Sequence, residues 1–221
     1  MKFVNYLILA VAALAFTACN SESEPQTTYM DIVTLVSSDD QGSVMTFNEI
    51  NDSPLVTLTT TQKFSKDNIG KRIVVMYTPV GTQDHAVSGN VDILFASLTL
   101  GAGAAPLPAV ADTLDNWASE PVDAMQVYRA GQYINIVATL QTSTNPKKFQ
   151  CYVDETTVNS EYPELHIVYQ SVPGYNTQAT NFFASYSIES LWNRLNVKGL
   201  KVMFGEDSQE EVTIEKNNQN S

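Results

Sequence analysis

The side chains best suited to acid–base, nucleophilic or metal chemistry are two histidines, two cysteines and a few adjacent acids. His85, in Gln83-Asp84-His85-Ala86, reads as a solvated loop residue, and His166, in Glu164-Leu165-His166, falls on the polar face of an alternating strand. They are far apart in the chain and lack ligand spacing, so no metal site is expected. Cys151 lies in the apolar stretch Phe149-Gln150-Cys151-Tyr152-Val153 and reads as a small buried hydrophobe. The pairs Asp39-Asp40, Asp154-Glu155 and Glu206-Asp207 carry the carboxylates that calcium binding or glycoside hydrolysis would use. None has EF-hand spacing, and each adjoins a strand end, where adjacent acids face solvent. There is no Gly-x-Ser-x-Gly elbow. Tyr162, Tyr169, Tyr175, Phe182, Phe183 and Tyr186 have the makings of a saccharide platform, but a β-sandwich needs large aromatics inside, and core is the preferred reading. The sequence therefore gives no catalytic residues, no cofactor site and no enzyme.

Chemistry of another kind sits at the N-terminus. Lys2, the apolar run 7–16 and small Thr17-Ala18 before Cys19 form a leader, residues 1–18, too short to span a bilayer permanently. Phe16-Thr17-Ala18-Cys19 resembles a bacterial lipobox, which makes Cys19 the lipid-attachment residue. Acyl chains contribute about 0.8 kcal/mol per buried CH2, so two or three of them anchor a soluble body stably. With Cys19 acylated, Cys151 has no partner for a disulfide. Residues 19–28 are polar, contain Pro25 and read as a flexible spacer.

Twenty-four acidic against 12 basic residues give a formal charge of −12, one unit more negative once Lys2 leaves with the leader. Nucleic-acid binding needs clustered Lys and Arg against phosphate. Lys71-Arg72 and Lys147-Lys148 are the only pairs, and they read as solvated strand or turn ends. Nucleic acid is accordingly excluded as a partner.

The elements that must position any site are strands. Period-2 patterns and turn residues predict them at 29–36, 43–50, 55–60, 72–78 and 91–100, then at 124–130, 132–141, 148–154, 164–170, 182–188, 197–204 and 211–216. The strand at 72–78 is apolar on both faces and therefore central. Residues 101–109, without charge, alternation or caps, read as a connector. Residues 190–195 read as one helical turn with Ser190 as N-cap. The expectation is an all-β chain: a small five-stranded barrel over residues 29–105, followed by an immunoglobulin-like β-sandwich over 106–221.

The order of several segments is similar to the NigD-like lipoproteins of Bacteroides and relatives. These are the lipobox with its short acidic spacer, Gly70-Lys71-Arg72-Ile73-Val74-Val75-Met76-Tyr77-Thr78, Asn90-Val91-Asp92-Ile93-Leu94, Tyr128-Arg129-Ala130-Gly131-Gln132-Tyr133-Ile134-Asn135-Ile136, Tyr162-Pro163-Glu164-Leu165-His166 and Phe183-Ala184-Ser185-Tyr186-Ser187-Ile188. The resemblance implies an OB-fold barrel for the first domain, and a lipid-anchored outer-membrane protein facing the cell surface. The family's name reflects a gene beside a bacteriocin, hence an immunity role; its biochemical function is not established. Asp112-Thr113-Leu114 matches the pattern on which exported proteins of the Bacteroides group carry O-linked glycans, so Thr113 is a candidate attachment site. The functional expectation is a non-enzymatic module for a protein or glycan partner. The alternatives are an accessory subunit of an outer-membrane assembly and bacteriocin immunity.

Overall fold

In the computed structural model, described for residues 27–81, 84–100, 109–111, 119–142, 146–174, 178–204 and 210–216, β-strands dominate. Cys19, Thr113, Tyr175, Glu206, Asp207 and the leader lie outside the described residues.

The first five strands are β1 (Tyr29–Asp39), β2 (Gly42–Asn48), β3 (Leu55–Thr60), β4 (Arg72–Pro79) and β5 (Gly89–Leu98). They close into a barrel in the order β1-β2-β3-β5-β4. One long strand makes closure possible: β1 pairs with β4 from Tyr29 to Thr34 and with β2 from Thr34 to Asp39. The register slips between Leu35 and Ser37, and such a bulge bends and coils a strand so that it can leave one partner for another. Alternation then sends Val33, Leu35, Met45, Phe47, Val56, Leu58, Ile73, Val75, Tyr77 and Val91 into one core. Tight turning at Asp39-Asp40-Gln41-Gly42 requires the glycine: Gly42 has φ +124°, and a Cβ there would run into the backbone of Thr60. Buried Ser38 and Ser43 close one end, where Ser38 Oγ donates to the Phe64 carbonyl at 2.9 Å and Ser43 Oγ donates to that of Gln62 at 2.8 Å. A 3-10 turn, Lys66–Asn68, follows.

The remaining strands are β6 (Ala109–Ala111), β7 (Asp123–Ala130), β8 (Tyr133–Gln141), β9 (Lys148–Asp154), β10 (Glu164–Gln170), β11 (Ala179–Ser187), β12 (Gly199–Phe204) and β13 (Glu210–Glu215). They form sheets in the orders β13-β12-β10-β9-β6 and β11-β8-β7. Ile134, Ile136, Ala138 and Leu140, the expected inner face of β8, meet Phe149, Cys151 and Val153 of β9 and Leu165, Ile167 and Tyr169 of β10 in a second core. Of the aromatics read as core, Tyr169 and Tyr186 lie in it and Phe182 packs against it, whereas Tyr162 does not and bonds Glu215 at the surface; Trp192 on the short helix α1 (Glu189–Trp192) also belongs to the core.

Two local expectations fail. Residues 109–111, for which no strand is expected and the first of which ends the expected connector, form β6, because Ala-Val-Ala lies parallel to β9 and pairs with it from Tyr152 to Asp154. Three residues are too few to show alternation. The helical turn begins at Glu189, so Ser190 is inside it, and the N-cap position is Ile188 with no side-chain cap bond. Buried Leu191 and Trp192 hold that turn by packing instead.

Barrel and sandwich meet on two arginines. Arg72, expected at a solvated strand end, is only 2% exposed. It lies on the outer side of β4, and its Nε donates to Ser185 Oγ (3.0 Å), Nη1 to Thr34 Oγ1 (3.0 Å) and Nη2 to the Ile32 carbonyl (3.0 Å) and Asn135 Oδ1 (3.3 Å). The guanidinium stacks 4.1 Å from the Tyr133 ring centre. Burial lowers its pKa to about 10, so it stays protonated at neutral pH. Arg129, 4% exposed, grips Asp52 of the β2–β3 turn in a bidentate pair (2.8 and 2.6 Å) and lies over Trp192. Asn51 and Gly131 exchange backbone bonds across the same seam, where Asn51 N donates to the Arg129 carbonyl and Gly131 N to the Asn51 carbonyl, both at 2.7 Å.

Replacing Arg72 by alanine leaves Asn135, Ser185 and the Ile32 carbonyl without their buried donor, and is expected to cost about 3 kcal/mol in denaturant unfolding. By contrast, Lys63→Ala removes only the exposed pair with Asp40 and should leave the midpoint where it was. Equal midpoints for the two variants would show that Arg72 holds nothing.

Candidate functional site

The loop between β4 and β5 carries the most organised polar group on the barrel. It is folded back by Gly81 (φ +93°) and by Ala86 at φ +57°, an uncommon conformation for alanine. Ala86 packs against the barrel core and thereby seats its neighbour, His85. His85, expected in solvent, is instead half-buried between two carboxylates: Nε2 lies 3.0 Å from Asp31 Oδ2, and Nδ1 lies 3.2 Å from Glu49 Oε1. The ring stacks on Tyr29 at 4.7 Å, and the Tyr77 hydroxyl donates to the same Asp31 oxygen at 2.8 Å. Four separate stretches supply this cluster, namely the start of β1, the end of β2, β4 and the loop.

An imidazole that faces an acceptor from each nitrogen is suited to the doubly protonated form. The His85 pKa is raised, first by its hydrogen bond to Asp31, against a contrary effect of burial, and with help from the charges of Asp31 and Glu49. Burial above all keeps the Tyr77 hydroxyl protonated well past its ordinary range. The cluster is an electrostatic latch on a loop.

Next to the latch, β5 has an open flank. β4 pairs with it from Val91 to Leu98, but β3 reaches it only at Gly89 and Asn90. Among the described residues the ladder on that side of 91–98 has no further strand. Leu94 (55% exposed) and Phe95 (49%) stand in solvent there, with Leu98 beyond them. The outer faces of β2 and β3 continue the surface with Val44, Thr46, Asn48, Leu55, Thr57 and Thr59, and none of β2, β3 and β5 contains a lysine or arginine.

His166 also differs from expectation. The alternation holds and the residue does point away from the core, but that outer face is covered: His166 is 6% exposed and Val168 is buried beside it. Two residues earlier on the same face is Glu164, and the β9–β10 register that sets Leu165 opposite Val153 brings Asp154 across from it. Asp154, expected in a solvated turn, is 7% exposed. One ligand atom from each of Asp154, Glu164 and His166 lies within 4.8 Å of the others, so these are the residues able to hold a metal. Sequence spacing gave no sign of them because only His166 and Glu164 are neighbours on one strand; the third ligand arrives by strand pairing. The Asp39-Asp40 pair stays at its exposed turn. Cys151 is buried, and desolvation drives its thiol strongly toward the protonated form.

With this geometry in hand, three solved structures share the architecture. A protein of unknown function from Bacteroides vulgatus superposes with a TM-score of 0.60 at 15% identity, over 88% of this chain and 92% of that one. A putative toxin-related protein from Parabacteroides distasonis gives 0.59 at 10% identity, over 87% and 94%. A NigD-like immunity protein from Bacteroides caccae gives 0.57 at 13% identity, over 87% and 95%. Its fold is that of the NigD-like structures. The barrel-plus-sandwich architecture implied by the sequence resemblance is thus the one these proteins share, and at such identities the likeness is one of fold. No protein-family model and no curated protein sequence matches the chain.

The latch has a signed pH dependence. Because the folded pKa of His85 is above its ordinary 6.5, its stabilisation is complete below about 6.5 and fades as pH rises through the folded value. Thermal midpoints of the chain and of His85→Asn, measured across that range, should differ most on the acid side and converge in alkali. A difference that grows toward alkali would contradict the assignment.

Proposed function

We propose that this chain is a non-catalytic interaction module, held at the outer membrane by acyl chains on Cys19, whose partner is a protein that offers an extended segment to the open flank of β5. The observation that carries this reading is the pairing of an unfilled strand edge with exposed Leu94, Phe95 and Leu98. Unpaired N–H and C=O groups on such an edge bind an added strand, and alternate apolar side chains give it a contact surface. The absence of cations from β2, β3 and β5 supports a partner without phosphates and therefore argues against nucleic acid. Support for a non-catalytic role is the inert, buried Cys151 and the likeness in fold to proteins described as immunity-related or of unknown function.

The tether is part of the proposal. Cys19 becomes the acylated N-terminus after removal of residues 1–18, the acidic spacer leads the body toward the cell surface, and Thr113 is the residue proposed to carry an O-linked glycan. One neighbour in fold is described as a NigD-like immunity protein, and under an immunity reading the extended partner would be a sibling strain's toxin. An accessory subunit would use the same edge on a membrane assembly, and a stoichiometric complex recovered in mild detergent would single that role out.

Phe95→Lys with Leu94→Lys places two charges on the flank without touching either core. Co-purification from detergent-solubilised host membranes should yield a partner with the unaltered chain and at least about tenfold less with the double variant, the 1.4 kcal/mol that two lost apolar contacts readily supply. Retention of the partner by the double variant would remove β5 as the docking edge. Cys19→Ser tests the anchor separately: the body should leave the membrane fraction, and mass spectrometry of the mature N-terminal peptide should show no acyl group.

A further inference from the structure

We propose that Asp154, Glu164 and His166 form a binding site for one divalent transition-metal ion, of which zinc is the best fit. The site is independent of the β5 flank and of the latch, and lies on the sandwich.

Its geometry follows from strand pairing. Side chains two apart on a strand share a face, which puts Glu164 and His166 together on β10, and the antiparallel register places Asp154 of β9 beside them. The three ligand atoms, all within 4.8 Å of one another, need to draw in only modestly, because ligands at about 2.0–2.1 Å from a tetrahedral ion stand roughly 3.3 Å apart. The His166–Glu164 approach is already 3.8 Å.

The donor set chooses the ion. One imidazole with two carboxylates suits zinc, or manganese less well, whereas calcium and magnesium favour oxygen ligands alone. Asp154 is already oriented: its Oδ1 accepts from both the backbone N–H and the hydroxyl of Thr156, each at 2.8 Å, which is the outer-shell support that a ligating carboxylate needs.

Packing does not account for the trio. It projects from the side of the sheet opposite Cys151, Val153, Leu165 and Ile167, so core formation places no demand on it, and a buried acid and histidine beside a half-buried acid are costly there. A dication would offset that cost. The cation nearest to the acids is Lys201, 4.0 Å from Glu164 but 3.3 Å from Glu211, so it has a carboxylate to turn to when a metal takes Glu164.

Untagged full-length protein in detergent, stripped with chelator, should bind one zinc per chain in calorimetric titration, and cobalt in its place should give the visible d–d bands of a low-coordinate nitrogen–oxygen site. His166→Gln should weaken zinc binding by at least about 30-fold, as should Glu164→Gln, which alters a half-buried carboxylate and spares the core. His85→Gln serves as the control and should bind as the parent does. The proposal is overturned if the parent chain takes up no zinc, if both ligand variants bind it undiminished, or if His85→Gln abolishes the uptake. The cobalt spectrum of the unaltered chain needs no variant, and so tests the site even if His166→Gln fails to fold.

Discussion

Arg72 is where the two halves of this protein depend on each other. Its backbone belongs to the barrel, where it pairs with Thr34 on β1, and its guanidinium is committed to Asn135, Ser185 and the Tyr133 ring of the sandwich. No carboxylate is among its hydrogen-bond partners. Neutral acceptors and an aromatic face satisfy the charge without the desolvation of a second ion, which is the usual weakness of a buried ion pair. A guanidinium suits the position better than an ammonium because its donors diverge in a plane and reach both sides of the seam at once. Asn135 and Ser185 are in turn fixed by their own hydrogen bond of 2.7 Å. Remove the guanidinium and Asn135 and Ser185 keep each other but lose their shared buried donor.

The second arginine does different work. Arg129 takes a carboxylate that is largely in water and holds it well below the usual carboxylate range, chiefly through the hydrogen bond to Asp52. Screening makes that pair weak as an energy source. Its value is geometric: it fixes the β2–β3 turn against the β7–β8 hairpin, where Gly131 (φ +56°) leaves room for the Asn48 side chain. Barrel and sandwich are therefore joined by a deeply buried polar contact and a peripheral clamp, with backbone bonds at Asn51 and Leu100 beside them.

A barrel usually removes its edges by closing, yet here β3 meets β5 over only two residues, and among the described residues the rest of β5 is an edge with apolar side chains. The polar clusters are acid-rich. His85 ties a loop to the barrel rim, and Asp154, Glu164 and His166 concentrate ligands on one face of the sandwich. Each is set by at least two strands, so none can shift far without disturbing a sheet.

Local pattern determined much of this by itself. Strict alternation in Ile134, Ile136, Ala138 and Leu140, and in Leu165, Ile167 and Tyr169, fixed the inner faces of β8 and β10, because a period of two leaves one way to bury an apolar set. The strand at 72–78 is legible as central for a different reason, apolar residues on both of its faces. What sequence did not determine is which outward-facing polar residue would meet water. Arg72, His166 and Asp154 each occupy the polar side of a strand, and the pattern treats that side as solvent; all three are buried instead, Arg72 against the sandwich. His85 was read as a free loop residue since its partners, Asp31 and Glu49, are 54 and 36 positions away and come within reach only when the barrel closes. Alternation is a property of neighbours along the chain and is written in the sequence. Burial of a polar face and the meeting of distant charges depend on long-range register and docking, and these were decided only by the tertiary structure.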